Sequence, residues 1–585
     1  MGTIPKKRAI IEKEGGYMRI EAKQVKNLLM AVAVMFQEKR DELARLDSII
    51  GDGDHGISMA RGAAAACKKL EHMSDQETMS EYFKLYGRTL IAEIGGAIGP
   101  LFGVIFTEFG KHTKNRNELT AEAYAEALEG CLLKIMEFGG AKPNDKTMVD
   151  ALYPAAREAR AAFNQSCSLA ETAERAARAA EEGVKQTIPM RSRRGRSKFL
   201  QEKSIGHQDA GATSVYYLLN RMAEYFAGEV DFIRLQDKPD SQRRTEKPNS
   251  SVYISKFINH PDTIVEEMVQ GYIKVYGDRI HKLEYANVIA RKNMSPGKVG
   301  VVIGNGSGHE PACLGFVGDN MLDANAYGGV FAAPGPYTIL EAIKAADMGK
   351  GVCVLVSSHA GDILNSKMAI DMAEDEGIIA KAVLLYDDIS SAPKAAPVSE
   401  RRGSIGTLFN YKMTPYYANG HSLEEIITFA EKVRDRTRSI VAAMTPGTSP
   451  VTGEEMFGTE PGEVLVGLGV HGESALMTYK NKKCSDIAEG MICALIEDMP
   501  YQKGDEVAVI VNGTGRTTMM ELMIYYTAVD KYLTKKGIRI FKPLVGSFIT
   551  TQEMGGIGLA ICKMDEELKE AWTADTKAPQ FPNFS

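Results

Sequence analysis

The first 230 residues carry apolar side chains at the spacing of helices. Between Glu21 and Leu46 the apolar positions are Val25, Leu28, Leu29, Val32, Phe36 and Leu43. The same period recurs at 76–93, 118–137, 149–163, 168–184 and 211–227. Glycine-rich, polar breaks separate these stretches, at 95–103, 139–148 and 195–212. Helices joined by such loops predict an all-α bundle or barrel whose loops gather at one end to form a site.

From residue 253 onward the pattern changes to short β-branched runs between helical stretches. These runs lie at 298–303, 352–356, 382–386, 506–511 and 541–545. Strands separated by helices are typical of α/β architecture with a parallel sheet, and the remaining length is enough for two lobes. Residues 231–252 are polar, charged and proline-bearing, which is typical of a linker.

The pattern therefore predicts a multidomain protein with four segments. They are a loose leader at 1–16, an all-α helical domain at 17–230, the linker at 231–252 and an α/β region of two lobes at 253–585.

The composition is that of a soluble globular protein, with 44% hydrophobic and 25% charged residues. A net charge of −6 gives no sign of nucleic-acid binding, and no apolar run is long enough to span a bilayer. The eight cysteines form no CxxC pair and no zinc spacing, which favours reduced thiols. We therefore expect a cytoplasmic protein without nucleic-acid or membrane partners.

Three carboxylates follow the first helical stretch within eight residues, at Asp47, Asp52 and Asp54. Mg²⁺ takes clustered carboxylates together with substrate phosphates, and glycines let a phosphate chain approach the backbone. The helix that follows offers its N-terminal amides to an anion. We interpret the stretch as a metal–nucleotide loop. An EF-hand starting at Asp52 would have Ala63 where a glutamate is needed, and a solvated acidic turn remains the alternative.

Two predicted strands of the second half end in chemistry-bearing residues. Strand 298–303 runs into a glycine-rich turn that ends with a titratable group, His309. Backbone amides of such a turn cradle polar ligands, although the turn is not the dinucleotide fingerprint. Strand 352–356 is followed by Asp362, which is placed for general-base work because ligands bind at the carboxyl ends of parallel strands. The alternative is that Asp362 N-caps the next helix.

Three other loops carry weaker signals. His471 follows a strand-like run and Gly469-Val470 and precedes Gly472, where it is accessible to a ligand or has a structural role. For the loops 401–407 and 512–518 we expect a structural role first, with phosphate binding as the alternative.

These motifs together resemble the dihydroxyacetone kinase family over nearly the whole chain. In the helical half the resemblance is carried by the Asp47/Asp52/Asp54 loop with His55-Gly56, and by 145–154, Gly195-Arg196 and 206–209. In the second half the matching segments are 256–262, 306–312, Gly361-Asp362, 401–403, 469–473 and 564–568.

The resemblance implies roles for individual residues. Asp47, Asp52 and Asp54 would bind two Mg²⁺ ions that hold the phosphates of ATP. Nucleotide contacts are implied at His55, Gly56, Ile57, Ser58, Ala97, Ile98, Gly139, Met148, Arg196, Gln208, Asp209 and Ala210.

On the acceptor side, the resemblance implies that His471 adds to the ketone of the substrate as a hemiaminal. His309 and Asp362 would hydrogen-bond the substrate, and one of them would take the proton from the attacking hydroxyl. Further substrate contacts are implied at Gly306, Ser307, Gly308 and Ser357. The resemblance also implies a homodimer.

Several positions depart from the family pattern. The helical part comes first here, whereas the familiar single-chain ATP-dependent kinases put the ketone-binding part first. Ala97-Ile98 replaces small hydroxyl residues, Asn144 replaces a glycine, and Cys313 replaces a common histidine. Residues 357–360 read Ser-Ser-His-Ala where Lys-Asn-Tyr-Thr is usual.

We therefore expect an ATP-dependent kinase of a related short ketose, such as the ketotetrose erythrulose or a branched short ketose. The alternatives are a strict dihydroxyacetone kinase and a ketone-binding regulatory protein without catalysis.

Overall fold

The computed structural model describes residues 17, 19–51, 53, 55–230, 256–469, 472 and 475–584, and leaves the side chains of 196, 199 and 201 undescribed. The leader at 1–16, the linker at 231–252, Asp52, Asp54 and His471 lie outside the described residues. The chain divides into two compact units, Met1–Asn249 and Ser250–Ser585.

The first unit is helical apart from one short pair of antiparallel strands, β1 (Arg19–Glu21) and β2 (Glu118–Thr120). Its helices are α1 (Ala22–Glu38), α2 (Arg40–Ile50), α3 (His55–His72), α4 (Met79–Glu93), α5 (Ile98–His112), α6 (Ala121–Gly139), α7 (Met148–Asn164), α8 (Leu169–Thr187) and α9 (Ala210–Phe226). A 3-10 helix covers Arg196–Ser204.

These helices form a closed ring. Each helix from α3 to α8 packs against the next helix along the chain, and α1 packs against both α3 and α9. The Tyr17 N–H donates to the Phe226 carbonyl at 2.7 Å, which joins the start of the unit to its end. The apolar stripes face one core, so the unit is a helical barrel.

Two features of the helical half differ from the sequence prediction. The stretch Glu21–Leu46 is two helices rather than one, because the helical conformation breaks at Lys39. The glycine-rich break at 95–103 is half helix, since α5 begins at Ile98. Gly103 lies inside α5, where close packing of the helices requires a glycine, because a Cβ there would lie 2.7 Å from the Gly87 carbonyl on α4.

The second unit is α/β and contains two sheets. Its helices are α10 (Ile264–Tyr276), α11 (Pro336–Ala346), α12 (Ala360–Asp375), α13 (Thr407–Tyr417), α14 (Leu423–Asp435), α15 (Cys484–Asp498), α16 (Met519–Lys535) and α17 (Glu566–Thr573).

The first sheet has the strand order β3-β4-β6-β5-β7-β8. Its strands are β3 (Ile280–Lys282), β4 (Val288–Arg291), β5 (Gly300–Ser307), β6 (Ala324–Val330), β7 (Val352–Ser357) and β8 (Ala380–Leu385). The neighbours β6, β5, β7 and β8 run parallel, as predicted from the alternation of strands and helices.

The second sheet has the order β11-β10-β9-β15-β12-β13, and β14 also pairs with β12. Its strands are β9 (Thr437–Thr445), β10 (Glu463–Val466), β11 (Met477–Lys480), β12 (Glu506–Gly513), β13 (Arg539–Ile540), β14 (Leu544–Gly546) and β15 (Gly555–Lys563). The prediction of parallel pairing is wrong for most of this sheet. β9, β10, β11, β12 and β15 pair antiparallel, and β12 pairs parallel only with β13 and β14.

Throughout the described part of the chain, no helix combines the length and the apolar character needed to cross a membrane.

Candidate active site

The acidic loop of the first unit begins at the end of α2 and leads into α3. Asp47 lies on the last turn of α2, and its carboxylate accepts a hydrogen bond from the His55 N–H at 3.3 Å. A Cβ on Gly56 would lie 1.9 Å from the Arg40 carbonyl, so only glycine allows α3 to start this close to α2. The loop therefore brings a carboxylate to the N-terminus of a helix.

His55 connects three helices at this point. Its Nε2 lies 2.6 Å from the Ser214 hydroxyl on α9, and its ring centroid is 6.2 Å from that of Phe102 on α5. The side chain is 2% exposed, and burial lowers its pKa. The ring is therefore neutral near pH 7 and holds the starts of α3 and α9 together.

The N-termini of α3, α5, α7 and α9 lie at the same end of the barrel. Besides the contacts of His55, a Cβ on Gly211 of α9 would lie 3.7 Å from Met148 of α7. A Cβ on Gly139 would lie 3.5 Å from Leu101 of α5. Helix N-termini present unpaired N–H groups and a positive dipole end, which favour an anion. This arrangement is suited to phosphate groups.

The predicted nucleotide contacts fall at these helix ends. His55, Gly56, Ile57 and Ser58 open α3, Ala97 and Ile98 open α5, Gly139 closes α6, Met148 opens α7, and Gln208, Asp209 and Ala210 open α9. Arg196 opens the 3-10 helix, and its side chain lies outside the described set.

Lys146 holds the loops at this end of the barrel, although it is not among the site residues predicted from the sequence. Its Nζ donates to the carbonyls of Met190 at 3.1 Å, Ser204 at 2.5 Å and His207 at 2.6 Å, and the residue is 1% exposed. A buried ammonium group needs such acceptors. Lys146 therefore ties the segment that contains Gly195-Arg196 to the start of α7.

The charges of two other carboxylates act on Asp209 at the start of α9. Desolvation, together with the charges of Asp150 and Asp47, raises the pKa of Asp209 to about 7. Among the described residues, no group of three His, Cys, Asp or Glu side chains forms a metal site, but Asp52 and Asp54 are not among them. Mg²⁺ takes clustered carboxylates together with substrate phosphates, so a metal site here would depend on Asp52 and Asp54 beside Asp47.

In the second unit the predicted residues meet at one edge of the first sheet. Because β5 and β7 are parallel neighbours, their C-terminal residues Ser307 and Ser357 lie at the same edge. The Ser307 hydroxyl donates to the Gly328 carbonyl at 2.8 Å. A Cβ on Gly306 would lie 2.8 Å from the Ala332 nitrogen, so the turn packs tightly against the segment after β6.

Gly308 and His309 complete this turn. Gly308 has φ +101°, and a Cβ there would lie 2.7 Å from the ring of Phe331. The His309 ring lies 5.0 Å from the Phe331 ring, between centroids, and the residue is 8% exposed. Its Nδ1 is 2.7 Å from the Thr550 carbonyl. Because a carbonyl only accepts, Nδ1 carries the proton, and Nε2 is the basic nitrogen of the neutral ring.

Asp362 lies in the first turn of α12, just beyond β7. The N-cap of α12 is His359, so the alternative that Asp362 N-caps this helix is wrong. Asp362 is buried. Burial is the main cause of the raised pKa of the Cys313 thiol, and the charges of Asp362 and Glu310 raise it further. Burial is also the main cause of the raised pKa of Tyr411, and the charge of Asp362 adds to it. The strand edge thus holds a buried carboxylate in its predicted place.

The loop 401–407 has the structural role that we expected first. A Cβ on Gly403 would lie 2.5 Å from the Ser357 hydroxyl, so this loop backs the end of β7. Asp387 accepts from the Ser404 N–H at 3.0 Å and the Gly406 N–H at 2.8 Å. Arg401 pairs with the Asp498 carboxylate through both terminal nitrogens of its guanidinium group.

The loop 512–518 is also held by internal contacts. The Asn512 carboxamide oxygen accepts from the N–H groups of Phe548 at 2.8 Å and Ile549 at 2.9 Å, and its nitrogen donates to the Ile549 carbonyl at 2.7 Å. Near His471, the Gly472 N–H donates to the Gly469 carbonyl at 3.0 Å.

Two family models match the chain in the order of its two units. The DAK2 domain matches residues 49–224, and the Dak1 domain matches residues 270–580. The dihydroxyacetone-binding subunit DhaK of PTS-dependent dihydroxyacetone kinase 1 from Listeria innocua is 37% identical over 327 residues, which cover 56% of this chain and 98% of that relative. This chain belongs to the dihydroxyacetone kinase family.

Other members of the family are also similar. The L-erythrulose kinase of Pectobacterium atrosepticum is 31% identical over 55% of this chain and 55% of its own length. The crystal structure of the dihydroxyacetone kinase of C. freundii in complex with AMP-PNP and Mg²⁺ matches with a TM-score of 0.51 and 26% identity, over 56% of this chain and 61% of that one. The dihydroxyacetone kinase operon co-activator DhaQ matches with a TM-score of 0.52 and 28% identity, over 55% of this chain and 99% of that one.

Proposed function

We propose that this protein transfers the terminal phosphoryl group of ATP to a terminal hydroxyl of a short-chain ketose. The observation that supports the proposal is His309 after β5, at the sheet edge where β7 also ends before Asp362, with its Nδ1 directed at the Thr550 carbonyl. The family's kinases support the reaction class.

The first unit would bind the nucleotide. The N-termini of α3, α5, α7 and α9 would hold phosphate oxygens through backbone amides, and Lys146 would keep the surrounding loops in place. Asp47, with Asp52 and Asp54, would hold two Mg²⁺ ions. Bound Mg²⁺ neutralises charge on the phosphates. The C. freundii kinase bound to AMP-PNP and Mg²⁺ supports ATP as donor rather than a PTS relay.

The second unit would bind the ketose. We propose that His471 forms a hemiaminal with the carbonyl carbon, which would select ketones over polyols, since glycerol has no carbonyl. His309 Nε2 would accept the proton of the attacking hydroxyl, and Asp362 would hydrogen-bond the substrate. Gly306, Ser307, Gly308 and Ser357 would line the rest of the pocket. We also propose that the protein works as a homodimer.

The wall at 357–360 supports a ketotetrose as the acceptor. Ser357 has a short side chain, and the His359 Nε2 is 3.2 Å from the Gly403 carbonyl, so the imidazole is engaged with the 401–407 loop. A small side chain at the end of β7 leaves room for one more carbon than dihydroxyacetone has. The relative named L-erythrulose kinase supports this choice, and strict dihydroxyacetone kinase activity is the alternative.

A second candidate function is regulatory ketone binding without phosphoryl transfer. The similarity of the α/β unit to the co-activator DhaQ favours it. Against it stand the DAK2 domain on the same chain and the acidic residues of its loop.

The test is ADP release from MgATP with a panel of acceptors. The panel contains dihydroxyacetone, both erythrulose enantiomers, glyceraldehyde and glycerol, and Asp52→Ala provides the blank. We expect one erythrulose enantiomer to give the highest kcat/KM and glycerol to give none. Preference for dihydroxyacetone would assign the strict activity. ATP binding without turnover of any acceptor would favour the regulatory function.

A further inference from the structure

His309 is held by a loop that comes from the other sheet of the same unit. The segment 547–552 follows β14 of the second sheet, whereas His309 follows β5 of the first. Thr550 makes three bonds across this boundary. Its N–H donates to the His309 carbonyl at 3.1 Å, its carbonyl accepts from His309 Nδ1–H at 2.7 Å, and its hydroxyl donates to the Glu310 carbonyl at 2.8 Å.

The Thr550 loop is itself anchored by Asn512 at the end of β12. Asn512 is 0% exposed, and its carboxamide makes three bonds to the backbone of Phe548 and Ile549. Gln552 adds a bond from its Nε2 to the Gly308 carbonyl at 3.3 Å. A chain of short hydrogen bonds thus runs from Asn512 through the loop to the imidazole.

We propose that Thr550 and Asn512 are positioning residues that fix the tautomer and the orientation of His309 for proton transfer. The proposal rests on the proposed function, in which His309 Nε2 accepts the substrate proton. A base must present the correct nitrogen, and a carbonyl bonded to Nδ1–H sets which nitrogen carries the lone pair. The same bond is stronger to the imidazolium, so it also stabilises His309 once it has accepted the proton.

The test must not change the other titratable groups around the loop, because nearby charges also act on the pKa of a histidine. They are Glu310, Asp362, Cys313, Tyr272 and the ion pair of Lys256 with Glu553. Thr550→Val removes the hydroxyl and its bond to the Glu310 carbonyl, while it keeps the shape of the side chain, the backbone carbonyl that contacts His309 and all of these titratable groups. Thr550→Ser restores the hydroxyl.

The matched control is Thr437→Val. The Thr437 hydroxyl donates to the Val433 carbonyl at 2.7 Å and is also buried, but it lies at the start of β9 and contacts no part of the His309 turn. Asn512→Ala tests the anchor, and thermal unfolding shows whether it folds. If Asn512→Ala does not fold, the milder variant Thr550→Val still tests the proposal.

The first measurement uses the full chain labelled with ¹⁵N-histidine. Long-range ¹H–¹⁵N spectra report which ring nitrogen is protonated, and His309→Asn assigns the signal among the ten histidines. We expect the Nδ1–H tautomer in the wild type and in Thr550→Ser and Thr437→Val. In Thr550→Val the accepting carbonyl remains but its loop loses the bond to Glu310, so we expect a mixture of tautomers, and a larger share of Nε2–H in Asn512→Ala, where the loop loses three bonds. A wild-type proton on Nε2, or unchanged spectra in both Thr550→Val and Asn512→Ala, would overturn the proposal whatever the activity.

The second measurement is the pH profile of ketose phosphorylation. Thr550→Val keeps the carbonyl that accepts from Nδ1–H but loses the hydroxyl bond that anchors this loop to Glu310. A weaker bond to Nδ1–H lowers the pKa of His309, so the acid limb of kcat should move to lower pH by about half a unit in Thr550→Val. We expect kcat to fall roughly tenfold with little change in KM. An unchanged profile and kcat would refute the catalytic role. The expected tautomers with no turnover of any ketose would instead refute the proposed function and leave the positioning intact.

Discussion

The two units build their candidate sites from different materials. In the helical barrel the site consists mainly of backbone, because the ends of α3, α5, α7 and α9 meet there. In the α/β unit the site consists of side chains, His309 and Asp362, at the ends of parallel strands. A backbone site tolerates many side chains but depends on the loops around it, whereas a side-chain site depends on single functional groups.

The largest effect is expected where one functional group does the chemistry. His309→Asn removes the proposed base, so kcat/KM for the ketose should fall by a factor of roughly 10² to 10⁴. His421→Asn is the control, because the Nδ1 of His421 also lies 2.7 Å from a carbonyl, that of Tyr417. Steady-state kinetics decide the matter, and equal losses in the two variants would contradict the assignment of His309.

In the backbone-built site the sensitive residue should be the one that holds the loops. Lys146→Met leaves three buried carbonyls without their donor, so we expect a loss of about 1–3 kcal/mol in the free energy of unfolding and roughly a tenfold higher KM for ATP.

The control for Lys146 is another buried lysine of the barrel. Lys26 donates to the Met73 carbonyl at 2.8 Å and to Asp75 at 2.9 Å, beyond the C-terminal end of α3. Lys26→Met should lose similar stability in urea titrations while its KM for ATP stays unchanged. A matching rise in KM would mean that Lys146 acts only through stability.

The smallest effect concerns a departure from the family pattern. Asn144 has φ +72°, a left-handed conformation that glycine adopts without strain and asparagine tolerates better than most residues. Asn144→Ala should cost about 1 kcal/mol, whereas Asn144→Gly should stay within a few tenths. Urea unfolding of both variants measures the difference. Equal stabilities would show that the backbone relaxes at this position.

The sequence predicted what depends on local pattern. Helical spacing located most helices of the barrel, and strands followed by polar residues located His309 and Asp362. The direction of the strands in the second sheet was not predictable, because pairing depends on connections between distant segments. The family resemblance predicted nucleotide contacts at residues that lie at helix ends, but nothing in the periodicity showed that α5 begins among glycines at Ile98.

The supporting residues were the hardest to predict. Thr550 and Asn512 lie more than 200 residues from His309 in sequence, and Thr550 contacts its ring through a backbone carbonyl, which any residue type carries. Lys146 has no partner side chain in its three bonds, since all of its acceptors are carbonyls. Such contacts leave no signature in residue types or spacing.

The bond between the Tyr17 N–H and the Phe226 carbonyl has a consequence for gene architecture. Because the barrel starts and ends at the same place on its own surface, a neighbouring coding segment can be fused before or after it without rethreading a helix. Recombination that moves such a module from one side of its neighbour to the other therefore preserves its fold. The order found here, with the DAK2 match ahead of the Dak1 match, is one of two arrangements that this module permits.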